Sequence, residues 1–171
     1  MTNRFICGGE KYQVGGPTED TIILPVFPAD LPAEISAEGY KLTPRNEFHV
    51  SLVCIGKIIE KHNVSIPDFI SKITNNFCDF VQTNPIDFLR YRDEFKFAAL
   101  DEKRSVVVMC DVSNLDKFFT LINKKYGLNL EYPPTHVTLY TLQQKRGVFL
   151  TDSEDIKKLT KQIPNPGLVL K

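Results

Sequence analysis

Two tetrapeptides of one grammar, His49-Val50-Ser51-Leu52 and His136-Val137-Thr138-Leu139, constrain this chain more than any other feature. Each reads histidine, apolar, hydroxyl, apolar, inside a longer alternating segment, Glu47 to Gly56 and Thr135 to Leu142. Such alternation predicts a β-strand with one face in a core. Residues two apart on a strand share a face, so each imidazole comes with a hydroxyl beside it while Val and Leu turn inward. A single histidine on a strand is an ordinary half-buried residue. With 3 histidines in a chain that is 42% hydrophobic, two matches by accident have odds on the order of one in a thousand by pattern counting. His62, followed by Asn63 and Val64, breaks the pattern and reads as an exposed loop residue.

The rest of the chain predicts an α+β fold. Thr21 to Phe27 is apolar and β-branched enough for a strand, with Pro25 favouring an edge. Asp30 to Tyr40 carries a weak helical pattern with Asp30 as its cap. Ile66, Phe69, Ile70, Ile73, Phe77 and Phe80 predict an amphipathic helix over about 67 to 82, and Leu115 to Tyr126 a second one that stops at Gly127. Segments 86–91, 94–100 and 104–112 have strand composition, the last two joined by a polar turn. A last helix is expected over 153–163, with a Thr151/Glu154 capping box and an end at Pro164. Neighbouring strands lie close enough to pair antiparallel, which excludes a doubly wound parallel sheet. No Gly-, Pro- or Ser-rich linker divides the 171 residues, so a single domain is expected, with residues 1–20 as a flexible loop or lid around Tyr12.

Charge and cysteine usage exclude further classes. Lys+Arg 21 against Asp+Glu 21 leaves no global basic field to hold long nucleic acid. Cys7, Cys54, Cys78 and Cys110 form no CxxC pair, so all four are expected to be reduced and structural. No apolar run is long enough for a membrane span and no signal peptide is evident, so a cytoplasmic protein without a membrane partner is expected, as a monomer.

If the two histidine strands lie side by side, two imidazoles with ordinary pKa values near 6.5 can divide acid and base work at a phosphodiester. Ser51 and Thr138 would then donate to the non-bridging phosphate oxygens. No metal-ligand spacing such as HExxH is present, so neither a metal nor another cofactor is expected.

The paired motifs resemble the signature of the two-histidine (2H) phosphoesterase superfamily, two H-x-[ST]-x copies, and the element order is similar over most of residues 20–163. The resemblance implies a bilobal α+β fold, two antiparallel sheets around a central groove with helices outside. It implies metal-independent hydrolysis of a 2′,3′-cyclic phosphate or of a short 2′-5′, 3′-5′ or cyclic oligonucleotide, RNA ends included. His49 and His136 take the catalytic roles, with acid and base unassigned, and Ser51 and Thr138 bind phosphate. Candidate substrate contacts are Tyr140, whose parity matches His136 and Thr138, and Tyr12 in the opening loop. Tyr40 and Tyr132 divide evenly between stacking on a base and packing. Lys145 and Arg146 read as a charged turn before Gly147, or alternatively as a phosphate contact. The competing reading is a nucleotide- or RNA-binding module that uses the groove without turnover. A ligase running the same chemistry backwards ranks last.

Overall fold

In a computed structural model, residues 4–15, 20–143 and 147–171 are described. Along the chain run β1 (Arg4–Cys7), β2 (Tyr12–Gly15), β3 (Thr21–Val26), β4 (Ile35–Ala37), β5 (Tyr40–Pro44), β6 (Phe48–Cys54), α1 (Ile55–His62), α2 (Phe69–Thr83), β7 (Phe88–Leu100), β8 (Lys103–Val112), α3 (Leu115–Tyr126), β9 (His136–Thr141), α4 (Ser153–Leu159) and β10 (Thr160–Ile163). The fold is α+β, with four helices and ten antiparallel strands among the described residues. Hydrogen bonds link the strands in the order β1-β2-β3-β6-β9-β8-β7-β10, with β5 joined to β9 and β4 to β5. The strands therefore form one bonded set rather than two separate sheets, because β6 has a neighbour on each side.

The chain divides into two compact units, neither of them continuous in sequence. The first comprises residues 1–25, 51–88 and 112–133, the second 26–50, 89–111 and 134–171. This interleaving explains why no linker is visible in the sequence.

The first unit holds α1, α2 and α3 and an aromatic core. Phe77 meets Tyr12 edge-on at 5.1 Å between ring centres and Phe118 at 5.3 Å, within the favoured range for T-shaped pairs. Tyr12 is 1% exposed. Its hydroxyl donates to the Ile86 carbonyl at 2.9 Å and accepts from the Ile86 N–H at 2.8 Å. The expected opening lid is corrected accordingly: its described part is the β1–β2 hairpin, turned by Gly8 and Gly9 at φ +68° and +67°, and Tyr12 is a core residue. The reduced state expected of all four cysteines is corrected too. Cys7 and Cys78 form a disulfide, with Cα atoms 5.5 Å apart across 71 residues of sequence, while Cys54 and Cys110 are in no disulfide. Spacing along the chain could not reveal that pairing, because β1 and α2 meet only on folding.

The second unit is strand-rich. Ala98, Val107, Val148 and Leu150 pack together, with Ile156 and Leu159 of α4 against them. The helix expected over Asp30 to Tyr40 is instead the β4–β5 hairpin. Glu38 and Gly39 both have positive φ, 51° and 81°, the backbone of a type I′ turn that suits strand twist. The last predicted helix is shorter than expected, since residues 160–163 leave it to pair with β7. Its cap is Asp152, which accepts from the Asp155 N–H at 2.9 Å, while Thr151 donates to the Asp155 carboxylate. No helix among the described residues is long and apolar enough to cross a membrane.

Candidate active site

The two histidine motifs occupy neighbouring strands. β6 pairs antiparallel with β9 with Val50 opposite Val137, both fully buried, and Val108 of β8 faces Val137 from the other side. These three valines anchor the sheet to the core. The same register puts His49 opposite Thr138 on the reverse face, with His136 diagonally adjacent, roughly 7 Å away by strand geometry. Ser51 follows His49 by two residues, shares its face of β6, and begins the first unit's share of that strand. All four side chains of the paired motifs are half-buried.

His136 is held by its own chain. Its Nδ1 lies 2.9 Å from the Pro134 carbonyl, and a carbonyl can only accept, so Nδ1 carries the proton. In the neutral ring Nε2 is then the open lone pair. The neighbouring Thr135 is buried and its hydroxyl donates to the Cys110 carbonyl at 2.7 Å, pinning the start of β9. Gly147 and Val148 run beside the other end of the motif. A side-chain atom on Gly147 would sit 3.6 Å from the Thr138 methyl, and the Val148 N–H donates to the Ser105 hydroxyl at 3.0 Å.

Electrostatics separate the histidines. Burial, the positive charge of Arg45 and then that of His136 push His49 down to about 4. Burial also lowers His136, but the Pro134 carbonyl acts the other way and favours its protonated form. Arg45, which the sequence did not single out, is the charged residue acting on His49. β5 follows β9 with Thr43 opposite Thr141 and Pro44 opposite Tyr140, and the Arg45 N–H donates to the Leu139 carbonyl at 2.9 Å. The chain then bulges by three residues before Val50 meets Val137. A bulge of this kind re-aims side chains beside a site, and here it brings Arg45, half-buried, within electrostatic range of His49. Pro44 and Asn46 before an alternating strand were the available signal.

The aromatic candidates fare differently from expectation. Tyr140 is corrected from a stacking surface to a core residue, 0% exposed, with its hydroxyl donating to the Pro32 carbonyl at 2.8 Å. Parity fails there because β9 carries an extra residue against β8 between Thr138 and Tyr140. Tyr40 packs: its ring stacks on Phe97 at 6.0 Å with the Arg104 guanidinium 5.0 Å from the ring centre. Tyr132 is exposed and belongs to the first unit. Lys145 and Arg146 lie outside the described residues. His62 is exposed as expected, but as the last residue of α1 rather than in a loop. Among the described residues no three of His, Cys, Asp and Glu are grouped to hold a metal ion.

Chemically, the second unit thus offers two imidazoles able to exchange protons, a hydroxyl and a guanidinium on or beside one face of adjacent strands. No family profile, curated protein or solved structure matches this chain.

Proposed function

We propose that this protein is a 2H phosphodiesterase that hydrolyses a 2′,3′-cyclic phosphate or a short oligonucleotide phosphodiester without a metal. The observation that carries the reading is the placement of His49 and His136 on one face of neighbouring antiparallel strands, each with a hydroxyl two residues further on.

The electrostatics favour a division of labour. Burial disfavours a proton on both rings; Arg45 adds to that at His49, to which we assign the general base, while the Pro134 carbonyl partly offsets it at His136, to which we assign the general acid. Water attacks phosphorus and gives a proton to His49, while the bond from phosphorus to the leaving ribose oxygen breaks and that oxygen takes a proton from His136 Nε2. Ser51 and Thr138 donate to the non-bridging oxygens as their charge grows. The substrate anion itself raises the His136 pKa on binding, since an opposite charge favours the protonated ring. Proton exchange with water then resets both histidines.

The test is turnover in EDTA on 2′,3′-cyclic mononucleotides, 2′-5′ and 3′-5′ dinucleotides and cyclic di- and trinucleotides. His49→Ala and His136→Ala are each expected to lose about 10²–10⁴-fold in kcat. Activity that requires a divalent cation and ignores both histidines overturns the proposal. The low His49 value favours one second reading, a nucleotide-binding module whose imidazoles stay neutral. Nucleotide binding with no turnover on any substrate establishes that reading instead.

A further inference from the structure

We propose that Arg90 and Arg92 form a second anion subsite on the His136 face of the sheet, which takes a phosphoryl group of the substrate other than the one being cut. The inference rests on the phosphodiesterase reading and narrows it: the substrate carries at least two phosphates, so a short oligonucleotide is favoured over a cyclic mononucleotide.

The argument begins at Asp111. Arg90 Nε donates to its Oδ2 at 2.7 Å and Arg92 Nε to its Oδ1 at 2.8 Å, so each carboxylate oxygen holds one guanidinium. Arg90 and Arg92 are two apart on β7 and share a face. Asp111 follows Met109 by two on β8, and Met109 is directly opposite His136 on β9. Residues two apart on a strand, or opposite one another in an antiparallel pair, point to the same side. The arginine pair and His136 therefore stand on one face. Strand spacing places Asp111 roughly 7 Å along and about 5 Å across from His136; β7 lies one strand further out, and its two arginine side chains bring their guanidinium groups back to Asp111.

One carboxylate has acceptor sites for two guanidinium groups but neutralises only one of their charges. Here two guanidinium groups share Asp111, and their neighbours on β7, Lys96 and Glu94, pair with each other at 3.4 Å. Arg92 also approaches Glu94 at 3.9 Å. The strip of Arg90, Arg92, Lys96, Glu94 and Asp111 keeps one positive charge in excess. Arg90 is 76% exposed while Asp111 engages its Nε. A guanidinium held at Nε and open to water is pre-oriented to offer its remaining N–H groups to phosphate oxygens.

The second phosphoryl group has two possible sources, a terminal 5′-phosphate or the next internucleotide phosphate. The test uses fluorescein-labelled diadenylate, 5′-phosphorylated diadenylate and unphosphorylated triadenylate, each in 2′-5′ and 3′-5′ linkage. Binding is read by anisotropy in EDTA at low salt, for wild type, Arg90→Ala, Arg92→Ala and the charge-keeping Arg90→Lys, with circular dichroism as the fold check. Each alanine variant is expected to lose about tenfold in affinity for ligands with the second phosphate and nothing for plain diadenylate, with lysine restoring part of the loss. A loss confined to the 5′-phosphorylated ligand assigns the terminal phosphate; a loss on triadenylate assigns the internal one. Equal losses on all three ligands, or none, overturn the subsite. Turnover of the same ligands separates the two proposals. Arginine-dependent preference without turnover keeps the subsite and overturns hydrolysis, whereas histidine-dependent turnover without arginine dependence does the reverse.

Discussion

His49 stays neutral because burial withholds water from its charged form and Arg45 and His136 add positive charge nearby. Its folded value of about 4 lies below the value near 6.5 expected in the unfolded chain. Between those limits the unfolded chain binds the extra proton, so this contribution to stability is complete above about pH 6.5 and is lost as the pH falls through 4. The full contribution is about 3 kcal/mol. His136 shifts in the same direction, with the Pro134 carbonyl opposing. Urea unfolding at pH 7 and pH 4.5 is expected to show wild type weakening across the interval and Arg45→Gln weakening less, because removing the guanidinium raises the folded value of His49. An equal loss in both proteins would show that Arg45 does not act on His49. The histidines and hydroxyls were legible from i, i+2 spacing, which depends only on the strand backbone. Arg45 and Tyr140 were not, since a bulge in the pairing with a distant strand decides where each side chain goes.

Helix α1 shows how an element depends on a residue outside it. It follows β6 without a break, its preceding residue Cys54 gives no side-chain cap, and the Ile55 N–H donates to the Asp20 carbonyl at 2.9 Å. The Asp20 carboxylate lies where a Cβ on Gly56 would sit. Alanine normally stabilises a helix by about 1 kcal/mol over glycine. Here Gly56→Ala must displace the carboxylate and is expected to cost about 1–3 kcal/mol as an overpacked site. In an Asp20→Ala background the same change becomes neutral or favourable, and a double-mutant cycle by urea unfolding measures the coupling. Additive losses would mean that the carboxylate moves aside freely. The α2 and α3 helices were readable because their apolar stripes repeat over 12 or more residues. α1 was not, since its 8 residues extend a strand pattern.

Folding of the first unit is reinforced by a covalent tie between its opening hairpin and α2. The Cys7–Cys78 disulfide closes a loop across 71 residues, for which the chain-entropy account gives about 4 kcal/mol. Thiol titration in denaturant is expected to find two free thiols without reductant and four with it, and Cys7→Ala/Cys78→Ala is expected to unfold at markedly lower urea. Four free thiols in the unreduced protein would remove the disulfide and its stabilisation together. Cys110 contributes no reactive thiolate to the folded protein, because burial pushes its thiol up to about 12.

Periodicity and chemistry along the chain were enough to predict an α+β protein with antiparallel strands, the two longer helices and the paired histidine motifs. These are local properties: a backbone period of two or of 3.6 is written into consecutive residues. The order of strands, the bulges at Arg45 and beyond Thr138, the disulfide, the exchange of a helix for the β4–β5 hairpin and the depressed pKa of His49 came from the folded chain. Each arises where segments far apart in sequence are brought together, and the burial and charge they experience exist only in that arrangement.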